Sequence, residues 1–364
     1  AFGIRIIHWN GAKQVKLEFY AGSYAKPQEE GIARFLLDTE AKTLRKQCGY
    51  QGVKNPSYVL LNAAKNRLYA VEEEAGESGG RVHVLQLTNG AEEWVQSLST
   101  QGADPCHLCL AQGGTLLLAS NYLSGSLAVM RVEEKGGLCF EQLIQHTGKG
   151  SHPTRQEMAH VHSAWEWEQL IAAVDLGLDK VSFYELRNGA LCETGRELRL
   201  AAGSGPRHLA FDPLKPSVLY VACELSSEVA VFEWRGTEFA LLQTVSTLPT
   251  GVCGENTAAA IRLCGSLLYV SNRGHDSISV FERLCDGTLR LLDCAPCGGN
   301  APRDFAVFGE YLVIANQASD NLSVLKMNKA RGKLEQTGIS AVMARPSCIC
   351  GSRHTCQRRH KGKG

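Results

Sequence analysis

The chain has 364 residues, 44% of them hydrophobic and 21% charged, with a formal net charge of +1. This is an ordinary soluble globular composition with material for a large core. A balance so near neutrality supplies no basic face, so neither nucleic acid nor an anionic membrane surface is expected as a partner. The opening stretch AFGIRIIHWNGAK breaks its apolar run with Arg5 and His8. It therefore predicts no signal peptide, and no apolar run approaches the roughly 18 residues of a membrane-spanning helix. A cytoplasmic location is the expectation.

From Phe19 onward, strand-like segments recur in one register, with no sustained helical periodicity. An apolar strand ends in a polar residue, a short polar turn follows, and then comes a strand alternating small and apolar residues. In chain order the instances are FYAGSY with GIARF, LYAVEE with GRVHVL, LLASNYLSGSLAVM, IAAVDLGLDKVSFY, LYVACELSSEVAVF, LYVSNRGHDSISVF and LVIANQASDNLSVL. Their equivalent turn-start positions are Ser23, Glu72, Asn121, Asp175, Cys223, Asn272 and Asn316, spaced 44 to 54 residues apart. Seven such units predict an all-β fold, a seven-bladed β-propeller with four-stranded blades.

A second element accompanies these units: NPSYVLL, DPCHLCL, AHVHSAW, GPRHLAF, TAAAIRL, APRDFAV and finally RPSCIC. We assign it as the innermost strand, A, followed outward by B, C and a more variable D. The first unit has no A strand of its own, and RPSCIC has no B strand after it. The N- and C-terminal strands are therefore expected to complete one blade, closing the ring and removing its exposed edges. This predicts a single propeller domain over 1–350 and a basic, disordered tail over 351–364.

The fourteen cysteines are scattered and lie mostly in apolar strands, as in VACEL and SCIC, which reads as buried thiols in a reducing compartment. Cys106 and Cys109 are spaced as C-x-x-C, but residues three apart on a strand face opposite ways, which argues against zinc. Cys294 and Cys297 repeat the spacing far away in sequence. Cys348, Cys350, His354 and Cys356 can be drawn as a metal site, but no metal or cofactor is expected.

Strands A and B run antiparallel, so the start of A lies beside the end of B in every blade. The A starts carry His107, His160, His162, Arg207, His208, Arg303 and Asp304. The B ends and their turns carry Asn121, Tyr122, Asp175, Glu224, Arg273, His275 and Gln317. All of these are predicted to meet at one mouth of the central channel, whereas the opposite face receives plain turns such as FDPLKPS. Histidines in such strands often only bond neighbouring backbone. Arginines gathered at one mouth repel one another unless an anion binds there, so Arg207, Arg273 and Arg303 point to anion binding.

Several motifs carry a family likeness: HSAWEW preceded by RQEMAHV, then GSGPRHLAF, CELSSEVAVFEW, LYVSNRGHDSISVF and APRDFAVFGEYLVIANQASDNLSV. With them, nearly the whole chain resembles the lactonase family of seven-bladed propellers. That family includes propeller-type 6-phosphogluconolactonases and a fungal carboxy-muconate lactonising enzyme. The resemblance implies a metal-independent active site at one channel mouth, built from a histidine, arginines and a glutamate. By motif these roles fall on His160, Arg207, Glu224 and Arg273 as catalytic residues. His162, His107, Asn121, His275, Arg303 and Gln317 are the expected substrate contacts. The chain departs from the family pattern at Cys223, where asparagine is usual, and at Ala260, where an acid is common. The basic tail is not part of the pattern.

The implied activity is hydrolysis of a sugar or sugar-phosphate lactone, with a small anionic lactone as the partner. Glu224 or His160 is the expected general base, and arginines bind the oxyanion or the substrate's anion. Two other readings stay open: carboxy-muconate cyclisation, and a non-enzymatic interaction platform on the same fold.

Overall fold

We describe the protein from a computed structural model covering residues 5–351, apart from 10–11, 65, 77–78, 89–90, 135 and 329. The strands form where the sequence alternates β-branched or aromatic residues with small ones, and they break at Gly, Asp, Asn and Ser. Five B–C turns end on a residue with left-handed backbone, namely Gly125, Asp179, Ser227, Asp276 and Asp320. Glycine adopts that conformation without a Cβ penalty, and aspartate tolerates it because its side chain bonds nearby backbone.

Seven antiparallel sheets arranged as blades make up the ring, as expected. In the fifth blade the order from the channel outward is Pro206–Phe211, Val218–Cys223, Glu228–Trp234 and Phe239–Ser246. The blade that closes the ring combines the two ends of the chain: Pro346–Gly351 lies innermost against Ala12–Ser23, followed by Ile32–Asp38 and Thr43–Tyr50. This blade has a fifth strand that the repeat did not predict. Ala12–Ser23 is 12 residues long, twice the length of Pro346–Gly351, so half of its inner edge would lack partners. A hairpin brings Arg5–Trp9 onto that half.

Apolar side chains pack between neighbouring blades. At the closure, Phe19 lies 5.6 Å from both Phe35 and Phe308, in a cluster that contains the fully buried Ile349. Cys223, Cys348 and Cys350 are buried, and all described cysteines are free thiols. Among the described residues no group of His, Cys, Asp or Glu is arranged to hold a metal ion. His354, Cys356 and the basic tail beyond Gly351 lie outside the described residues. No described helix is long and apolar enough to cross a membrane.

One irregularity recurs at the start of strand A. The register with strand B skips one residue at Cys106, His162, Arg207, Arg303 and Ser347. Such a β-bulge re-aims a side chain, here into the channel. The residue after strand B is tied beside it by backbone: Tyr24, Glu73, Tyr122, Leu176, Glu224 and Gln317 donate their N–H groups to the carbonyls of Arg345, Asn55, Asp104, His160, Gly205 and Ala301. Aspartates at the turn ends lock the next blade in place. Asp179 accepts the N–H of Gly205, Asp276 that of Ala301 and Asp320 that of Arg345, each at 2.7 Å.

Because the ring is closed by packing as well as pairing, Ile349→Ala should destabilise the protein by about 3 kcal/mol through cavity formation. Val342→Ala, at a side chain 84% exposed, should change stability by less than about 0.5 kcal/mol. Urea denaturation of both variants checks this.

Candidate active site

Two tiers of side chains, set by the bulges and by the B-strand exits, form the mouth. At its centre is Glu224, the exit residue of the fifth blade and almost fully buried. Its Oε1 accepts a 2.6 Å hydrogen bond from Arg155, while Oε2 lies 3.0 Å from Arg207 Nε and 2.9 Å from Arg273 Nη2. Only the Arg155 bond is well aligned. Buried Arg273 Nε has no hydrogen-bond acceptor, and Arg207 Nε and Arg273 Nη2 meet Oε2 without good alignment. Unsatisfied buried guanidinium N–H groups are costly, and a ligand oxygen would satisfy them.

The electrostatics follow from this crowding. Burial by itself would raise the Glu224 pKa, but Arg273, Arg207, His162 and Arg155 together hold the carboxyl well below the usual carboxylate range. Burial and then repulsion from Arg273 push Arg207 down to about 10, with Glu224 offsetting part of the effect. Both Glu224 carboxylate oxygens are thus occupied by guanidinium groups.

Sequence reasoning did not select Arg155. It comes from the long segment between Leu138–Gln145 and Val161–Trp167, outside the strand repeat that guided the search. The stretch RQEMAHV within the family likeness was the signal that pointed to it.

The structure separates the two histidines of AHVHS. His162 sits on the bulge, equivalent to Arg207 and Arg303, edge-on to Tyr122 at 5.6 Å and to His208 at 5.5 Å. Burial and then Arg207 hold its pKa well below the ordinary histidine value, so it is neutral at pH 7. His160 stacks on Tyr122 at 4.5 Å, and its Nδ1 lies 2.9 Å from the Tyr122 carbonyl. Its Nε2 is buried and faces Glu157 at 3.5 Å. Its backbone N–H is held by Asp175, which also bonds buried His146.

The remaining expected contacts divide. Arg303 reaches the mouth from the bulge of the seventh blade, and Gln317 stands partly exposed at that blade's exit. His107 lies one layer deeper, packed between Tyr58 at 4.5 Å and Trp165 at 4.9 Å, and is held neutral by burial. Asn121 does not join the cluster. Its side chain is fully buried and turns back to Ser126, as Asn272 and Asn316 turn to the serines of their own hairpins. The neighbouring Tyr122 faces the mouth instead. His275 is exposed at the hairpin tip, with Nδ1 2.8 Å from Ser277 Oγ and 3.7 Å from Cys294 Sγ, on the outer side of its blade.

Replacing Glu224 by glutamine should leave three guanidinium groups without their anion and cost about 3 kcal/mol at pH 7. Because the folded-state pKa is depressed, the difference from wild type should stay constant above about pH 4.5 and shrink as pH falls through the folded value. Denaturant titrations of both proteins at several pH values measure it.

Residues 18–350 match the family described as lactonase, 7-bladed beta-propeller. The chain is 38% identical over 270 residues to the 6-phosphogluconolactonase of Bacillus subtilis, covering 72% of this chain and 76% of that protein. Among solved structures, a Lactobacillus plantarum protein superposes with a TM-score of 0.85 at 31% identity, over 92% of this chain and 98% of its own. The periplasmic gluconolactonase of Pseudomonas aeruginosa gives 0.84 at 28% identity, with the same coverage. Family match, fold and identity agree: the chain belongs to the seven-bladed β-propeller lactonase family.

Proposed function

We propose that the protein hydrolyses the ester bond of a sugar lactone of the 6-phosphogluconolactone class at this mouth. The observation that carries the reading is the set of buried guanidinium N–H groups on Arg207 and Arg273 that lack a well-aligned acceptor. They favour a small anionic or carbonyl-bearing ligand over a protein partner, and the same donors suit an oxyanion as it develops. The kinship with a 6-phosphogluconolactonase supports the choice of substrate class. Free thiols throughout the described chain fit a reducing compartment such as the cytoplasm.

In the proposed reaction neutral His162 takes a proton from water as the water oxygen attacks the lactone carbonyl. The C=O electron pair moves onto oxygen, where Arg207 and Arg273 stabilise it. Collapse of this intermediate breaks the bond to the ring oxygen, which receives the proton from the His162 imidazolium. The product is an open-chain carboxylate. Glu224 aligns the two arginines, Arg155 holds Glu224 from the loop side, and His160 sets the position of Tyr122.

The test is hydrolysis of freshly prepared 6-phosphoglucono-δ-lactone against its spontaneous rate. Arg207→Ala and Arg273→Ala should each lower kcat/KM by about 100-fold to 1000-fold. His162→Gln should lower kcat by at least about 100-fold, and His160→Gln by much less. With His162 as base, activity should fall only as pH drops below its depressed pKa, under 6.5, and not between pH 8 and 7. Wild-type protein that does not exceed the spontaneous rate rules the proposal out.

A further inference from the structure

The strand that carries His162 is held differently from its counterparts. In the fifth, seventh and first blades the residue two before the bulge has its N–H bound by a turn-end aspartate of the preceding blade: Gly205 by Asp179, Ala301 by Asp276 and Arg345 by Asp320. In the fourth blade that residue is His160, and the turn-end residue of the preceding blade is Gly125, which has no side chain. None would fit, because a Cβ at Gly125 would lie 2.3 Å from the Ala159 carbonyl oxygen. The acceptor comes instead from Asp175, the fully buried last residue of Leu170–Asp175 in the same blade. Its Oδ1 accepts the N–H groups of His160 at 2.9 Å and of Leu178 at 3.1 Å. Asn121, Asn272 and Asn316 at the equivalent positions turn to hairpin serines, whereas Asp175 turns to strand A.

The second oxygen of Asp175 reaches the other end of the connection 147–159. Oδ2 lies 2.7 Å from Nδ1 of buried His146, the residue that follows Leu138–Gln145. A carboxylate only accepts, so Nδ1 carries the hydrogen and Nε2 faces the Tyr184 hydroxyl at 2.9 Å. Between these two ends, fully buried Gln156 ties the connection to the same strand exit. Its amide donates to the Leu176 carbonyl, and its oxygen accepts the N–H groups of Ser151 and His152. Arg155, beside it in the chain, bonds Glu224 at 2.6 Å. One carboxylate therefore fixes both the strand that aims His162 and the loop that delivers Arg155. We infer that Asp175 is a positioning residue, which acts through the His160 backbone and His146 to hold His162 and Arg155 in place against Arg207 and Arg273. The inference rests on the lactonase reading and deepens it by naming what sets the geometry of its base. A displacement of about 1 Å at a reacting group costs about 100-fold in rate.

The experiment measures lactone hydrolysis and amide hydrogen exchange on the full chain. Asp175→Ala should lower kcat for 6-phosphoglucono-δ-lactone by about 100-fold and change KM much less, since alignment rather than binding is lost. Asp175→Asn, which keeps an oxygen for the His160 and Leu178 N–H groups, should recover kcat to within about 10-fold of wild type. In a His162→Gln background Asp175→Ala should cost less than about 10-fold more, because residues that act as a unit are not additive. A larger loss in that background, or an unchanged kcat in folded Asp175→Ala, overturns the inference. Exchange reads the same clamp without turnover. The amides of Ser151, His152, Gln156 and His160 should exchange at least about 10-fold faster in Asp175→Ala, while those of Gly205 and Ala301 keep their wild-type rates. If Asp175→Ala does not fold, His146→Leu, which releases the loop end alone, should speed exchange at Ser151, His152 and Gln156. Unchanged rates at these amides, or a rise spread evenly over all blades, overturn the inference. Wild-type protein without lactonase activity removes the lactonase reading, and exchange then still decides whether Asp175 fixes the strand and the loop.

Discussion

One backbone hydrogen bond, repeated around the ring, positions the chemistry of this protein. In five blades the N–H of the residue leaving the second strand donates to the carbonyl two residues before the bulge of the innermost strand. The bulge frees one side chain per blade from the sheet's alternation and turns it into the channel. The bond then sets a second side chain beside it. Turn-end aspartates reach across to the next blade and hold the residue on which the bond depends. A side chain placed in this way is fixed by main-chain geometry before any side-chain contact is counted, which suits a site that must hold like charges together.

Arg155, Arg207 and Arg273 converge on one buried carboxylate, so the folded state concentrates repulsion that only Glu224 and a ligand can relieve. Desolvation opposes every one of these charges, and at Arg207 it holds the guanidinium pKa below its ordinary value. The rigid scaffold sustains the arrangement because it is distributed over several blades, none of which can move without breaking its contacts with two neighbours. The same scaffold keeps His107, His162 and His208 neutral by burying them beside arginines. Imidazoles that would otherwise add to the positive charge stay uncharged instead.

Much of this was legible from the chain alone. The spacing of Ser23, Glu72, Asn121, Asp175, Cys223, Asn272 and Asn316 identified the blades, because a repeat that cannot bury its own apolar faces must stack against copies of itself. Antiparallel pairing then placed Arg207, Glu224, Arg273 and Arg303 at one mouth. Other features were not legible. Alternation along a strand does not reveal a bulge, so the catalytic role was expected of His160 and only substrate contact of His162, and Asn121 looked as available as Tyr122. Arg155 lies in a connection with no period to mark it. The strand Arg5–Trp9 pairs only because the closing strand is shorter than its partner, a mismatch invisible until both are laid side by side.

By itself, then, the sequence determined the architecture, the closure of the ring by its two ends, and the set of residue types gathered at one mouth. Each of these follows from local periodicity and from the antiparallel rule, which act over a few residues. The tertiary structure decided which member of each strand end faces the channel and which carboxylate balances which arginines. It also set Arg303 over the Tyr24 ring, beside the charges of Glu73 and Glu224. Those outcomes depend on distances between blades far apart in sequence, and electrostatic energies vary too steeply with such distances and with burial to be read from the order of residues.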